Sequence, residues 1–266
     1  MLTDSTFREI ADLMRATIGL ALPPSKKSLV AARLAPRLQR LELATYEDYL
    51  TRLLREHDDG ELQVAIDLLT TNETYFFREA PHFALLERDL ARGGVAAPAV
   101  WSAASSFGDE AYSIAMVLAD LESRGHIGRG WSVLGTDISD RVLRAAQAAI
   151  FPQERLREVS PERLRRYCLR GDGDFEGLAK MQPALTRRVH FGWLNLFEPI
   201  EPLGPFDAIF LRNVLIYFDV PTRRAVVERV LQRLKPGGLF FIGMAEGRIE
   251  IGSRLQVLGP GAFRKL

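Results

Sequence analysis

One stretch constrains this chain more than any other: a short apolar run that breaks into small residues and then opens a helix. Residues 100–121 read V-W-S-A-A-S-S-F-G-D-E-A-Y-S-I-A-M-V-L-A-D-L. Val100 and Trp101 begin a strand, and Ser102, Ala103, Ala104, Ser105, Ser106 and Gly108 make a bend. Asp109 and Glu110 then start a helix whose Ile114, Leu118 and Leu121 share one face. Acids in a first turn suit the unpaired N–H groups and positive dipole end found there. A strand–turn–helix unit of this kind builds an open α/β sheet, and its small residues let a ligand approach the backbone. There is no G-x-G-x-x-G, and an acid just past the turn repels a pyrophosphate. That acid favours a cationic or hydroxyl-bearing ligand, such as S-adenosylmethionine, with its ammonium, sulfonium, ribose hydroxyls and no phosphate. An ordinary βα unit with a small-residue turn fits this stretch equally well.

The chain has 266 residues, enough for a full α/β core and a smaller accessory domain. Hydrophobic residues make up 47% and charged residues 26%, a soluble globular balance. A net charge of +1 supplies no overall drive toward nucleic acid. The single cysteine, Cys168, excludes an internal disulfide and a multi-cysteine metal site, and the four histidines lack metal-ligand spacing. No metal is therefore expected. No apolar run is long enough to span a membrane, which points to a cytoplasmic protein without membrane insertion.

Residues 1–90 read as all-helical. Phe7, Ile10, Leu13 and Met14 recur at helical spacing until Gly19 and Pro23–Pro24. A second pattern over 25–41 carries Lys26, Lys27, Arg33, Arg37 and Arg40 and no acid. In one continuous helix Lys26, Arg33, Arg37 and Arg40 share a face, beside Val30, Leu34, Leu38 and Leu41; Pro36 threatens that continuity. The stripe is either a solvated face or a docking face for an acidic partner, and the second is favoured. Helices are predicted over 45–55 and 62–69, with a turn at 58–60. Residues 70–83 then read T-T-N-E-T-Y-F-F-R-E-A-P-H-F. Asn72 and Thr74 either cap a helix over aromatic core residues or donate to a ligand carboxylate beside Arg78.

A linker over 91–98 leads into a second domain, 91–266. Its second strand ends in Asp137, placed to accept ribose hydroxyls or to cap the helix predicted over 139–150; the ligand role is favoured. A helix over 160–167 and a tight turn at 171–177 precede strand-like spacing, so a small β insertion is expected near 168–190. Strand ends follow at Asn195–Leu196 and at Arg212–Asn213, where crevice ligands bind in such sheets, and Tyr217 interrupts an apolar run. The chain closes on a helix, the strand L-K-P-G-G-L-F-F-I-G (234–243) and a hairpin around Gly259–Pro260–Gly261.

These segments together resemble the chemotaxis receptor glutamate O-methyltransferases, the CheR family, over nearly the full length. The resemblance rests on T-N-E-T-Y-F-F-R-E (71–79), W-S-A-A-S-S-F-G-D-E-A-Y-S-I-A-M (101–116), G-T-D-I-S (135–139), N-L-F (195–197), L-R-N-V-L-I-Y-F (211–218) and L-K-P-G-G (234–238). It implies a doubly wound S-adenosylmethionine-dependent methyltransferase sheet, an all-α N-terminal domain that docks the receptor, and a small inserted β subdomain. It also implies methylation of glutamate side chains on a chemoreceptor's cytoplasmic helices, yielding glutamyl methyl esters and S-adenosylhomocysteine. The positions matching the family's cofactor contacts are Asn72, Thr74, Arg78, Glu110, Asp137, Asn195, Leu196, Arg212 and Asn213, with Arg78 and Tyr217 nearest the chemistry. The receptor's C-terminal tail peptide is a candidate partner for the β insertion.

A glutamate carboxylate is ionised at pH 7, so its attack on a sulfonium methyl needs no general base. Alignment and partial desolvation are the work left to the protein. The departures from the family's pattern are Ala104–Ser105, Phe107 and Ala111. Phe107 is expected to narrow the cofactor loop. The competing readings are a methyltransferase with another carboxylate acceptor and a cofactor-binding signalling scaffold without turnover.

Overall fold

The computed structural model describes residues 1–55, 60–200, 203–246 and 254–266. Four helices open the chain: α1 (Asp4–Ile18), α2 (Lys27–Arg40), α3 (Tyr46–Leu53) and α4 (Glu61–Leu69). Thr3 caps α1 by accepting from Thr6 N, and Gly19 ends it in the left-handed region at φ 72°. Thr45 and Asp48 form a capping box on α3. Phe7, Ile10, Met14, Val30, Leu34, Leu38, Tyr49, Ile66 and Leu69 close a core among these helices. Except for Gly60, the turn expected at 58–60 lies outside the described residues.

α2 runs unbroken through Pro36, which sits on its exposed side and removes one backbone donor without ending the helix. The basic stripe, however, is divided. Arg33 donates to the carbonyls of Leu69 and Thr70 at 2.8 and 3.1 Å, and Arg37 holds the buried carboxylate of Glu61. Lys26 and Arg40 stay exposed. Lys26 falls in the 3-10 turn before α2, not on the helix, and Arg33 and Arg37 serve the helical domain's own packing.

The second half alternates strands and helices: α5 (Ala80–Gly93), β1 (Ala99–Ala103), α6 (Asp109–Ser123), β2 (Ser132–Asp137), α7 (Asp140–Ala148), β3 (Ile150–Pro152), α8 (Pro161–Tyr167), β4 (Cys168–Arg170), β5 (Leu178–Met181), α9 (Pro183–Thr186), β6 (Val189–Trp193), β7 (Phe206–Leu211), α10 (Val220–Gln232), β8 (Leu234–Ile242), β9 (Leu255–Gly259) and β10 (Ala262–Lys265). Seven strands form one sheet in the order β6-β2-β1-β7-β8-β10-β9, parallel from β6 to β8 and closed by the antiparallel β9–β10 hairpin. Its central strands are buried on both faces. Val100, Ala208, Phe210, Leu239 and Phe241 pack with α5 and α6, while Trp101, Ile209, Leu211, Phe240 and Ile242 pack with α10. α5 runs through the position 90/91 where the second domain was expected to begin.

A three-stranded antiparallel sheet, β3-β5-β4, is inserted between α7 and β6. It differs from the expected window of 168–190 at both ends. α7 stops at Ala148 because Ala149 turns left-handed at φ 55°, so Ile150 and Phe151 become strand instead of a last helical turn. Val189 and His190 belong to the main sheet.

Candidate active site

β1 lies between β2 and β7, and the strand order reverses there. A crevice opens beyond the carboxyl ends of parallel strands at such a point. Here it is a cleft of about 1030 Å³, its open mouth included, walled by both halves of the chain. Glu110 enters from the first turn of α6, Asp137 from the last residue of β2, and Asn195 and Leu196 from just beyond β6. Arg212 and Asn213 follow β7, and Tyr217 ends a 3-10 turn over Leu215–Tyr217. Asn72, Thr74 and Arg78 come from the segment between α4 and α5, and Ile18 and Leu20 from the end of α1. Every residue nominated from sequence lines this one cleft.

The segment before α5 serves two purposes. Phe76 and Phe77 are buried anchors, with Phe76 edge-on to Phe151 at 4.9 Å and Phe77 N donating to Ser113 Oγ at 2.9 Å. The polar residues between and beside them turn to the cleft. Phe77 and Glu79 adopt positive φ of 56° and 59°, and across the cleft so do Ala104, Ser106 and Asn213 at 66°, 52° and 58°. Non-glycine residues reach that region only where surrounding contacts hold them, at about 1 kcal/mol or more each, and such residues gather at functional sites.

Arg212 is the electrostatic centre, its side chain 1% exposed. It donates to Arg78 O, lies 3.2 Å from Glu79 Oε2 and 3.4 Å from Glu110 Oε2, and stacks near Phe83 and Phe210. Its Nε and Nη1, and Ser105 Oγ, are buried without a hydrogen-bond partner among the described residues. Buried donors of this kind ask for an anionic acceptor. Glu110 accepts from Ser102 Oγ at 2.7 Å; burial raises its carboxyl, against the pull of Arg212. Asp137 accepts from Ser106 N at 2.8 Å and Ser139 N at 3.0 Å, and burial pushes it up to about 6 despite those bonds. Each of its oxygens retains a lone pair. The cleft thus offers a cation and an acid at one end, a second acid on β2, and an apolar wall of Ile18, Leu20, Ile138, Leu194 and Leu196. A zwitterionic amino acid joined to a hydroxylated sugar and a flat base has this polarity.

Three side chains behave differently from their sequence reading. The Asn195 carboxamide ties the two halves together, donating to Thr17 O at 2.9 Å and Glu198 Oε1 at 3.1 Å and accepting from Phe197 N. Arg78 donates to Glu73 O at 2.8 Å, and an ion pair beside it joins Glu79 and Arg212. Phe107 does not narrow the cleft. Its ring is outside the lining and lies under Arg155 at 4.6 Å and Arg141 at 5.4 Å. Among residues the sequence reading passed over, Glu79 bridges Arg212, Asn213 Nδ2 and Met244 N. It stands directly after Arg78 in the polar segment, which is the signal that could have found it.

Residues 5–70 match the family described as "CheR methyltransferase, all-alpha domain", and residues 72–257 match "CheR methyltransferase, SAM binding domain". The chain belongs to the CheR methyltransferase family. It is 42% identical over 263 residues to a chemotaxis protein methyltransferase of Escherichia coli (strain K12), covering 98% of this chain and 91% of that one. It is 38% identical over 265 residues to chemotaxis protein methyltransferase 2 of Pseudomonas aeruginosa, covering 98% and 93%. The CheR assignment makes the doubly wound sheet an S-adenosylmethionine-binding methyltransferase domain behind an all-α domain, as the motifs indicated. The matched S-adenosylmethionine-binding region begins at Asn72, within the polar segment that lines the cleft from Thr70. Among the described residues no cluster of His, Cys, Asp or Glu could hold a metal ion, and no helix is long and apolar enough to cross a membrane.

Proposed function

We propose that this protein methylates glutamate side chains on the cytoplasmic helices of a chemoreceptor, in the cytoplasm. The observation that carries the reading is the convergence of Asn72, Thr74, Arg78, Glu110, Asp137, Asn195, Leu196, Arg212, Asn213 and Tyr217 on one cleft of matching polarity. Bound there, S-adenosylmethionine supplies a methyl group on a cationic sulfur and is released as the neutral thioether S-adenosylhomocysteine.

Glu110 faces the donor's ammonium, and Arg212, with Asn72 and Thr74 beside it, faces its carboxylate. Asp137 accepts from the ribose hydroxyls through its remaining lone pairs. Leu194, Leu196 and Ile138 flank the base, and the backbone around Asn195 and Asn213 closes the outline. At the mouth, Arg78 and Tyr217 hold the acceptor carboxylate in line. That carboxylate arrives ionised, so no residue has to remove a proton, and a lining without histidine among its residues suits the reaction. With the donor bound, Arg78 and Tyr217 would aim one carboxylate oxygen at its methyl, which would pass to that oxygen while the C–S electron pair stays on sulfur. The apolar wall excludes water from the nucleophile.

Within the helical region of 1–90, Lys26 just before α2 and Arg40 at its end present exposed charge for an acidic receptor bundle. The small β sheet, with Leu169 on β4 49% exposed and Phe175 in the turn between β4 and β5 60% exposed, is the seat we assign to the receptor's C-terminal tail peptide. Transfer of label from radioactive S-adenosylmethionine to purified receptor cytoplasmic fragments tests the reading. Base-labile label on glutamate is expected, reduced about 100-fold by Arg78→Ala and about tenfold by Tyr217→Phe. Donor binding without label on any receptor fragment would exclude the receptor as acceptor.

A further inference from the structure

A carboxylate that lines no part of the cleft holds the turn that does. Glu246 lies beyond β8, is 4% exposed and is absent from the cleft lining. Its Oε2 accepts from Gly243 N at 2.6 Å and its Oε1 from Leu215 N at 2.7 Å. The N–H groups of Asn213 and Ile216 are also directed at it. Leu215 and Ile216 start the 3-10 turn over Leu215–Tyr217, whose own cap position, Val214, offers no side-chain acceptor, and Gly243 follows β8. The first N–H groups of a helical turn need acceptors, and an ionised carboxylate is the strongest the protein can offer. Here the acceptor comes from another strand end.

The contact is tight. A Cβ on Gly243 would lie 2.5 Å from Asn213 Nδ2 and 2.9 Å from Glu246 Oε2, so only glycine lets the end of β8 approach this closely. Asn213 itself sits at φ 58° and needs an external hold. Glu79 grips it from the opposite side, accepting from Asn213 Nδ2 at 3.3 Å and from Met244 N at 3.2 Å. Two carboxylates therefore pin one loop to one strand end, and that loop delivers both Asn213 and Tyr217.

We propose that Glu246 is a positioning residue for methyl transfer, fixing Asn213 against the donor and Tyr217 against the acceptor; it rests on the roles assigned to those two side chains above. Replacing the carboxylate by an amide turns N–H donors toward N–H donors, and the turn shifts while the core strands on either side stay packed.

The test uses the full chain labelled with 3-fluorotyrosine. Its six tyrosines give six fluorine resonances, and Tyr217→Phe assigns one of them. In Glu246→Gln the Tyr217 resonance should move or broaden while the other five hold. Affinity for S-adenosylhomocysteine by calorimetry should fall about tenfold, and transfer in the Glu246→Gln/Tyr217→Phe double variant should be no slower than in the worse single variant. Gly243→Ala, which disturbs the same contact with Glu246 in place, should shift the same resonance and decides the matter if Glu246→Gln does not fold. An unmoved Tyr217 signal with unchanged product affinity, or strictly additive losses in the double variant, overturns the proposal. If the unaltered protein labels no receptor fragment, the acceptor assignment fails, and the fluorine and product-binding readings still decide the role of Glu246.

Discussion

Asp137 is 6% exposed, and its carboxyl is pushed up to about 6, with burial as the main cause. The folded protein therefore binds a proton that the unfolded chain, with an ordinary aspartate near 3.9, does not bind between about pH 4 and 6. The stability cost of burying this charge is fully present at pH 7 and is relieved as pH falls through 6. Ligand binding runs the other way, because only the ionised form accepts from two hydroxyls. Affinity for S-adenosylhomocysteine should fall as pH drops from 7 to 5, approaching tenfold per unit, and Asp137→Asn should weaken binding about tenfold at pH 7.5 and flatten that dependence. Calorimetry across pH 5 to 8 measures both, and the variant separates Asp137 from Asp109, also pushed up to about 6 by burial. That Asp137, Asn195 and Arg212–Asn213 stand at strand ends and Glu110 at a helix start was legible from local pattern; the cofactor-contact set was implied by the family resemblance. Glu79 and Glu246 were not legible, since a lone glutamate carries no period and the partner of Glu79 at Asn213 is 134 residues away.

Among the elements, the end of α1 has the most to lose from a small change. Gly19 caps it at φ 72°, and a Cβ there would lie 2.9 Å from the Phe197 ring. Leu20 then reaches the cleft, and Ala21 N donates to Tyr217 O at 2.9 Å. Gly19→Ala combines left-handed strain of about 1–2 kcal/mol with that contact. It should lower the thermal midpoint by several degrees and weaken donor binding several-fold, both measurable on the purified protein. The helix and its stop were plain in the sequence; its place against the segment after β6 was not, because nothing in α1 marks residues 178 positions away as neighbours. The same limit explains α2, where period alone cannot say which cations a neighbouring helix will consume. It also explains β3, since the apolar run into Ile150 and Phe151 satisfies helix and strand alike.

At the scale of the molecule, the exposed part of the basic stripe reduces to Lys26 before α2 and Arg40 at its end, so steering toward an acidic partner rests on two side chains. Lys26→Glu with Arg40→Glu should raise the KM for a receptor fragment several-fold at low salt, by less near 0.5 M salt, and leave donor affinity unchanged. Equal rates at all salt concentrations would assign the face to solvent. The two halves meet through Asn195 on Thr17, Gln63 on Ile138 O, Tyr217 O on Ala21, and the ion pair of Arg15 with Asp219. This seam joins polar contacts to the packing of Ile138 and Tyr217 on the helical core and runs along the cleft, so whatever fills the cleft is mortar between the halves. At a hundred times its dissociation constant, a ligand there adds about 2.7 kcal/mol to cohesion. An enzyme starved of methyl donor and of spent donor alike would be the looser one, opening at its seam and exposing itself to proteases, so its lifetime would track the supply of its own substrate.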